Sequence, residues 1–347
     1  MPRPTLLAAV LALAACSPKF DPASRIEKLR VVAIQAEPPE IDPAGAATLT
    51  SLVLRPDFAA APSRTTTVVH LVCVPVPGDP NPTPCVTFAN LRDPAAAMGE
   101  GVRQGCEAGG GGATAPWPAI VLAGIEACVG DRCGPAPSGD ASLLPPRLAV
   151  PAGFAFPASG PERILGVQAV DLAFALDATP DELVAGLGTS CRAGDVASNL
   201  ARLWSERERV LSTKRVVIRG PDALAGERNH NPAVTGILAG GVALDPDAAT
   251  TFAPGETQLA PELPAGPEGQ PEIYTRLDAA GAPVETVAEE WVFSWFATAG
   301  DLEDLHTRGA DTERWTFDGA RGPVRLVVVV RDLRGGVGWA VRDVVVR

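Results

Sequence analysis

Leu326-Val327-Val328-Val329-Val330-Arg331-Asp332-Leu333-Arg334-Gly335-Gly336 is an unbroken apolar run that ends in charged residues and two glycines, and a second apolar-rich stretch, 337–346, follows it. β-branched residues suit a pleated strand, and paired glycines supply the backbone freedom a tight reversal needs. The spacing predicts a hairpin, with strands over 324–331 and 337–346. Working upstream, 312–317 reads as a further strand and 284–298 as one long strand. Trp291, Phe293 and Trp295 share one face of that strand by period two.

The same pattern runs through the first half. Strands are predicted over 29–36, 47–54, 65–76, 147–156, 163–176 and 213–219, with turns at Pro38-Pro39 and Asp42-Pro43-Ala44-Gly45. Gly and Pro number 35 each, enough for many turns. Short strands separated by such turns are the pattern of a β-sandwich, so the expected class is mostly β. Two departures are expected. Residues 77–145, dense in Pro and Gly, read as a disulfide-bearing insertion. Thr179-Pro180-Asp181-Glu182 has the form of a capping box and opens a short helical segment over 180–211. Residues 221–231 read as a linker, dividing a first domain, 26–220, from a second, 232–347. Pro43-Ala-Gly45-Ala-Ala-Thr48-Leu49 and Pro254-Gly255-Glu-Thr257-Gln-Leu259 form a weak internal repeat across that division.

At the start, Arg3 is followed by an apolar stretch, 6–13, too short to span a bilayer, and then by Leu13-Ala14-Ala15-Cys16. This resembles a bacterial lipoprotein signal. The resemblance implies removal of 1–15, acylation of Cys16, and a polar tether over 16–25; Ser17 after the lipidated cysteine implies the outer membrane. Acyl groups on Cys16 would anchor the protein to the membrane without a spanning helix. Whether the body faces the periplasm or the medium is not written in these residues.

Of seven cysteines, six follow Cys16: Cys73, Cys85, Cys106, Cys128, Cys133 and Cys191. An even number in an exported chain reads as disulfides, although six cysteines allow many pairings. Cys73 with Cys85 and Cys128 with Cys133 would each close a short loop, which leaves Cys106 with Cys191. Cys128 and Cys133 form the only close pair and have no neighbouring histidine, so a zinc site is the weaker reading.

Val292-Phe-Ser-Trp295, Trp315-Thr316 and the hairpin run 326–336 together resemble the central and final strands of bacterial Ig-like and PKD-like domains. The chain as a whole resembles lipoproteins of GC-rich, myxobacterial-type Gram-negative bacteria that carry such sandwiches. The resemblance implies two Ig-like β-sandwich domains, and its motifs are marks of fold rather than of activity.

Function is less legible. A formal charge of −12 gives counterion-release binding no footing, so nucleic acid is excluded as an expected partner. His70, His230 and His306 form no metal-binding array, no nucleophile elbow accompanies them, and no cofactor or metal is expected. The clusters Asp245/Asp247 and Asp301/Glu303/Asp304 lack the spacing of a calcium loop and read as solvated charge. Trp291, Trp295 and Trp339 are candidate ligand-facing aromatics, with burial in the core the favoured alternative. The expectation is a non-enzymatic envelope lipoprotein that binds a protein partner or serves as a scaffold. The alternative is a glycan- or peptidoglycan-binding lipoprotein.

Overall fold

The computed structural model of the chain describes residues 23–42, 45–73, 120–129, 132–135, 147–149, 164–175, 208–219, 228–278, 282–318 and 321–347. The signal segment, Cys16, Cys85, Cys106, Cys191 and residues 176–207 of the expected helical region lie outside them.

In the first half the strands are β1 Arg30–Glu37, β2 Glu40–Ile41, β3 Ala46–Leu54, β4 Thr65–Cys73, β5 Ile120–Val129, β6 Arg132–Pro135, β7 Arg147–Ala149, β8 Ile164–Ala175 and β9 Arg209–Arg219. In the second half they are β10 Gly236–Ala239, β11 Val242–Ala243, β12 Thr250–Phe252, β13 Glu256–Glu262, β14 Ile273–Leu277, β15 Pro283–Ala288, β16 Val292–Ala297, β17 Asp301–Leu302, β18 His306–Arg308, β19 Glu313–Thr316, β20 Gly322–Arg331 and β21 Val337–Val346. They build a three-stranded sheet (β1-β3-β7), a six-stranded sheet (β2-β9-β8-β4-β5-β6), two five-stranded sheets (β11-β10-β13-β19-β17 and β12-β21-β20-β16-β18) and a separate ribbon, β14-β15. The protein is mostly β, in several packed sheets.

The sheets stack, and β20 explains how. Leu326, Val328 and Val330 face the other five-stranded sheet and pack with Ile237, Leu259, Trp295 and Trp315. Val327 and Val329 point the opposite way and pack with Val32, Leu52 and Leu54 of the three-stranded sheet. A strand covered on both faces needs no polar alternation, which is why 326–330 is a continuous apolar run. Val31, Ile34 and Val53 carry the stack one layer further, onto Val68 and Cys128 of the six-stranded sheet. The two halves therefore share a packed core.

Several expectations need correction. The strand predicted over 284–298 is two strands in different sheets, β15 and β16, with Glu289 buried between them. Ile120–Val129 and Arg132–Pro135, inside the expected insertion, are strands that extend the six-stranded sheet beyond β4. Arg209–Leu211, expected to end a helix, open β9 instead and pair with Phe174, Ala173 and Leu172 of β8. Ladder bonds along an adjacent strand outweigh the local helical pattern there. Cys128 and Cys133 form a disulfide across the β5–β6 pair, as their spacing predicts.

The ends of the expected tether and linker are also anchored. Ser24 O accepts from Ala297 N, and Ile26 N donates to Ala297 O, both at 2.9 Å. Asn231 joins the halves, donating to Ala36 O at 2.8 Å and accepting from Val337 N at 2.9 Å. Among the described residues no helix is long and apolar enough to cross a membrane.

Candidate functional site

The turn between β20 and β21 is where the halves meet. Asp332 is buried, and its Oδ1 accepts from the backbone N–H groups of Arg334, Gly335 and Gly336 at 2.8–2.9 Å. Its Oδ2 accepts from Asn229 Nδ2 at 2.8 Å. This arrangement requires glycine at 336, where a Cβ would lie 2.1 Å from Asp332 Oδ2 and 2.7 Å from His230 O. Leu333, at the tip, has φ 62° and is 66% exposed. A leucine in the left-handed region is strained, and strain of this kind gathers at functional turns.

The turn separates two concavities, and Arg334 lines both. The first, about 580 Å³, lies against β14 and the 228–232 segment. Within it the Arg334 guanidinium lies 4.2 Å from the centre of the Tyr274 ring and donates to Glu289 Oε1 at 2.8 Å. Glu272 at 3.4 Å and Glu40 at 3.7 Å also pair with it. Burial pushes the Glu289 carboxyl above its ordinary range, against the opposing hydrogen bonds from Trp291 and Arg334. His230 Nδ1 meets Glu272 Oε1 at 2.5 Å at the rim. The second concavity, about 510 Å³, opens between β1, β9 and the turn and carries Lys214 and Arg331.

The residues singled out by sequence are placed as follows. Trp291 and Trp295 are buried in the second-half core, Trp291 donating to Glu289 Oε2 at 3.2 Å and Trp295 to Thr307 Oγ1 at 2.9 Å. A ligand-facing role for these two is corrected by that burial, since a stacking platform needs an open ring face. Trp339 is partly buried against the core between the halves. His70 is buried and bonded through Nε2 to Glu126 Oε2 at 2.8 Å; His306 Nδ1 lies 3.0 Å from Ser294 Oγ. The structure does not bring the three histidines together. Asp245 accepts from Asp247 N and Ala248 N, while Glu303 pairs with Arg314. Among the described residues no cluster of acids, histidines and cysteines is arranged to hold a metal ion.

Sequence reading missed Lys214, Glu289, Arg331 and Arg334. One signal for them was available, the charged Asp332-Leu333-Arg334 interruption between two apolar strands.

No family model and no curated protein matches the chain. Among solved structures it is similar to dimeric latent PorU from Porphyromonas gingivalis at 10% identity and a TM-score of 0.20, over 95% of this chain and 25% of that one. The fibronectin(III)-like modules of Clostridium thermocellum CbhA are similar at 8% identity and 0.21, over 91% and 94%. Escherichia coli alpha-2-macroglobulin activated by porcine elastase is similar at 10% and 0.23, over 94% and 22%. The chain thus spans about a quarter of the PorU chain, and TM-scores this low carry no argument about function.

Proposed function

We propose that this protein is a non-enzymatic, lipid-anchored envelope protein of the outer membrane, held by acyl groups on Cys16, and that it docks a protein partner through the β14-β15 ribbon. The ribbon carries this reading. Among the described residues it belongs to no larger sheet, and β15 is exposed along almost its whole length. Ile273 and Val284 are 71% and 56% exposed. Unpaired strand edges with exposed apolar side chains are templates for strand addition by another chain. An Ig-like relationship of the sandwiches fits the same reading, since such folds present edges and loops to partners.

The test places a photocrosslinking residue at Ile273 or at Val284 in the full-length protein in intact cells. One stoichiometric protein adduct from both sites, absent when Val242 on β11 carries the probe, is expected. Adducts to glycan alone, or none from either site, would replace this reading with the glycan-binding one. Labelled palmitate incorporated by the natural chain and lost in Cys16→Ser checks the anchor.

A further inference from the structure

The crevice between β1, β9 and the β20–β21 turn is lined by two cations, Lys214 and Arg331, whose hydrogen-bond acceptors are neutral. Lys214 is 8% exposed, and its hydrogen-bond acceptor is a neutral group, the carbonyl of Gly335. Arg331 donates to Ser294 Oγ at 3.0 Å and to Val32 O at 2.8 Å, again neutral acceptors. The acids nearby are engaged elsewhere. Asp332 lies within electrostatic reach of Lys214, but its carboxylate is spanned by three backbone N–H groups and Asn229. Glu40, Glu272 and Glu289 pair with Arg334. No carboxylate is among the described residues lining the crevice.

Two cations side by side, with Asp332 the counter-charge that acts on Lys214, leave the crevice lining positive, and an entering anion balances it. Burial holds the Lys214 ammonium down at about 8; the charge of Asp332 opposes this, and the smaller effect of Arg331 adds to it. Apart from Arg334, the remaining wall is largely apolar, from Ile34, Val337 and the strained, exposed Leu333, with the hydroxyls of Ser212 and Thr213 beside it. A volume of about 510 Å³ lies in the range of small-ligand sites.

We propose that this crevice binds a small monocarboxylic acid with an apolar body, its carboxylate between Lys214 and Arg331 and its body against Leu333 and Val337. The proposal does not rest on the protein-partner reading, because it uses neither the ribbon nor its edges.

The probe is octanoate, titrated calorimetrically into the purified full chain at pH 7, with 1-octanol and inorganic phosphate in parallel. Saturable binding of octanoate to one site is expected, with octanol and phosphate at least about ten-fold weaker, the scale of one charge-assisted hydrogen bond. Lys214→Met should weaken octanoate by a similar factor while leaving the circular dichroism spectrum unchanged. A second readout needs no variant: saturating octanoate, and not octanol, should slow acylation of Lys214 by an amine-reactive reagent, followed by mass spectrometry. Absence of saturable octanoate binding, equal binding of phosphate, undiminished binding by folded K214M, or unprotected Lys214 would each overturn the proposal.

Discussion

The side-chain amide of Asn229 donates to Asp332 Oδ2 at 2.8 Å across 103 residues of chain, with both residues buried. This bond ties the end of the expected linker to the turn that separates the two concavities. Removing Asp332 strands three backbone N–H groups as well as Asn229. Asp332→Ala is expected to lower unfolding stability by about 3 kcal/mol and Asn229→Ala by about 1–2 kcal/mol. Urea denaturation checks both, and the double variant should fall short of the sum because the two residues share one bond.

The tryptophans give a second prediction. Trp295 sits in the core with its Nε1 bonded, whereas Trp339 is only partly buried. Trp295→Ala should destabilise by about 3–5 kcal/mol, and Trp339→Ala by clearly less. Emission from the folded protein should be blue-shifted and indifferent to added polysaccharide. A polysaccharide-dependent shift abolished by Trp295→Ala would contradict the burial.

The Cys128–Cys133 bridge closes a short loop at the edge of the six-stranded sheet. In the chain-entropy account a loop of that length contributes about 2 kcal/mol. Cys128→Ser compared with the oxidised natural chain by denaturant unfolding should show a loss of that size.

Lys214 sets an alkaline dependence. Its ammonium titrates at about 8 in the folded protein, against an ordinary value of 10.5. Between those values the unfolded chain holds a proton that the folded chain has released, so stability rises with pH from 8 to 10.5. Below that window the buried charge is a standing penalty. Lys214→Met is therefore expected to stabilise at pH 7 by on the order of 2–3 kcal/mol. The gain should vanish by the top of the window, as thermal melts across that range will show.

On the acid side, burial raises the Glu289 and Glu313 carboxyls above their ordinary 4.5. The unfolded chain then ionises first, so stability falls as pH rises from about the ordinary carboxylate value through the folded values. Glu313→Gln should flatten that part of the Tm-against-pH profile without moving the acid limit.

Local pattern carried a good part of this architecture. The strands at 30–37, 46–54, 65–73 and 337–346, the reversal at Asp332–Gly336 and the Cys128–Cys133 closure are all consequences of near neighbours, because alternation, β-branching and glycine freedom act over a few residues. Where a neighbour far along the chain decides, the pattern misled. Residues 284–298 are rich in strand-forming residues, yet Glu289, buried and bonded to Arg334 and Trp291, lies where the chain passes from the ribbon to the five-stranded sheet. Arg209–Leu211 carry a helical spacing, yet β8 lies alongside with open ladder groups.

The sequence by itself determined that this chain forms β-sheets, where several strands reverse, and that 326–330 is an apolar strand of a hairpin. Tertiary structure alone decided that both faces of that strand are covered and by what, and that Lys214, Arg331 and Arg334 gather around one turn from β9 and the β20–β21 hairpin. Period-two alternation assigns a side chain to a face and says nothing of its partner there. A buried charge takes its meaning from groups more than a hundred residues away, brought beside it only when the sheets stack.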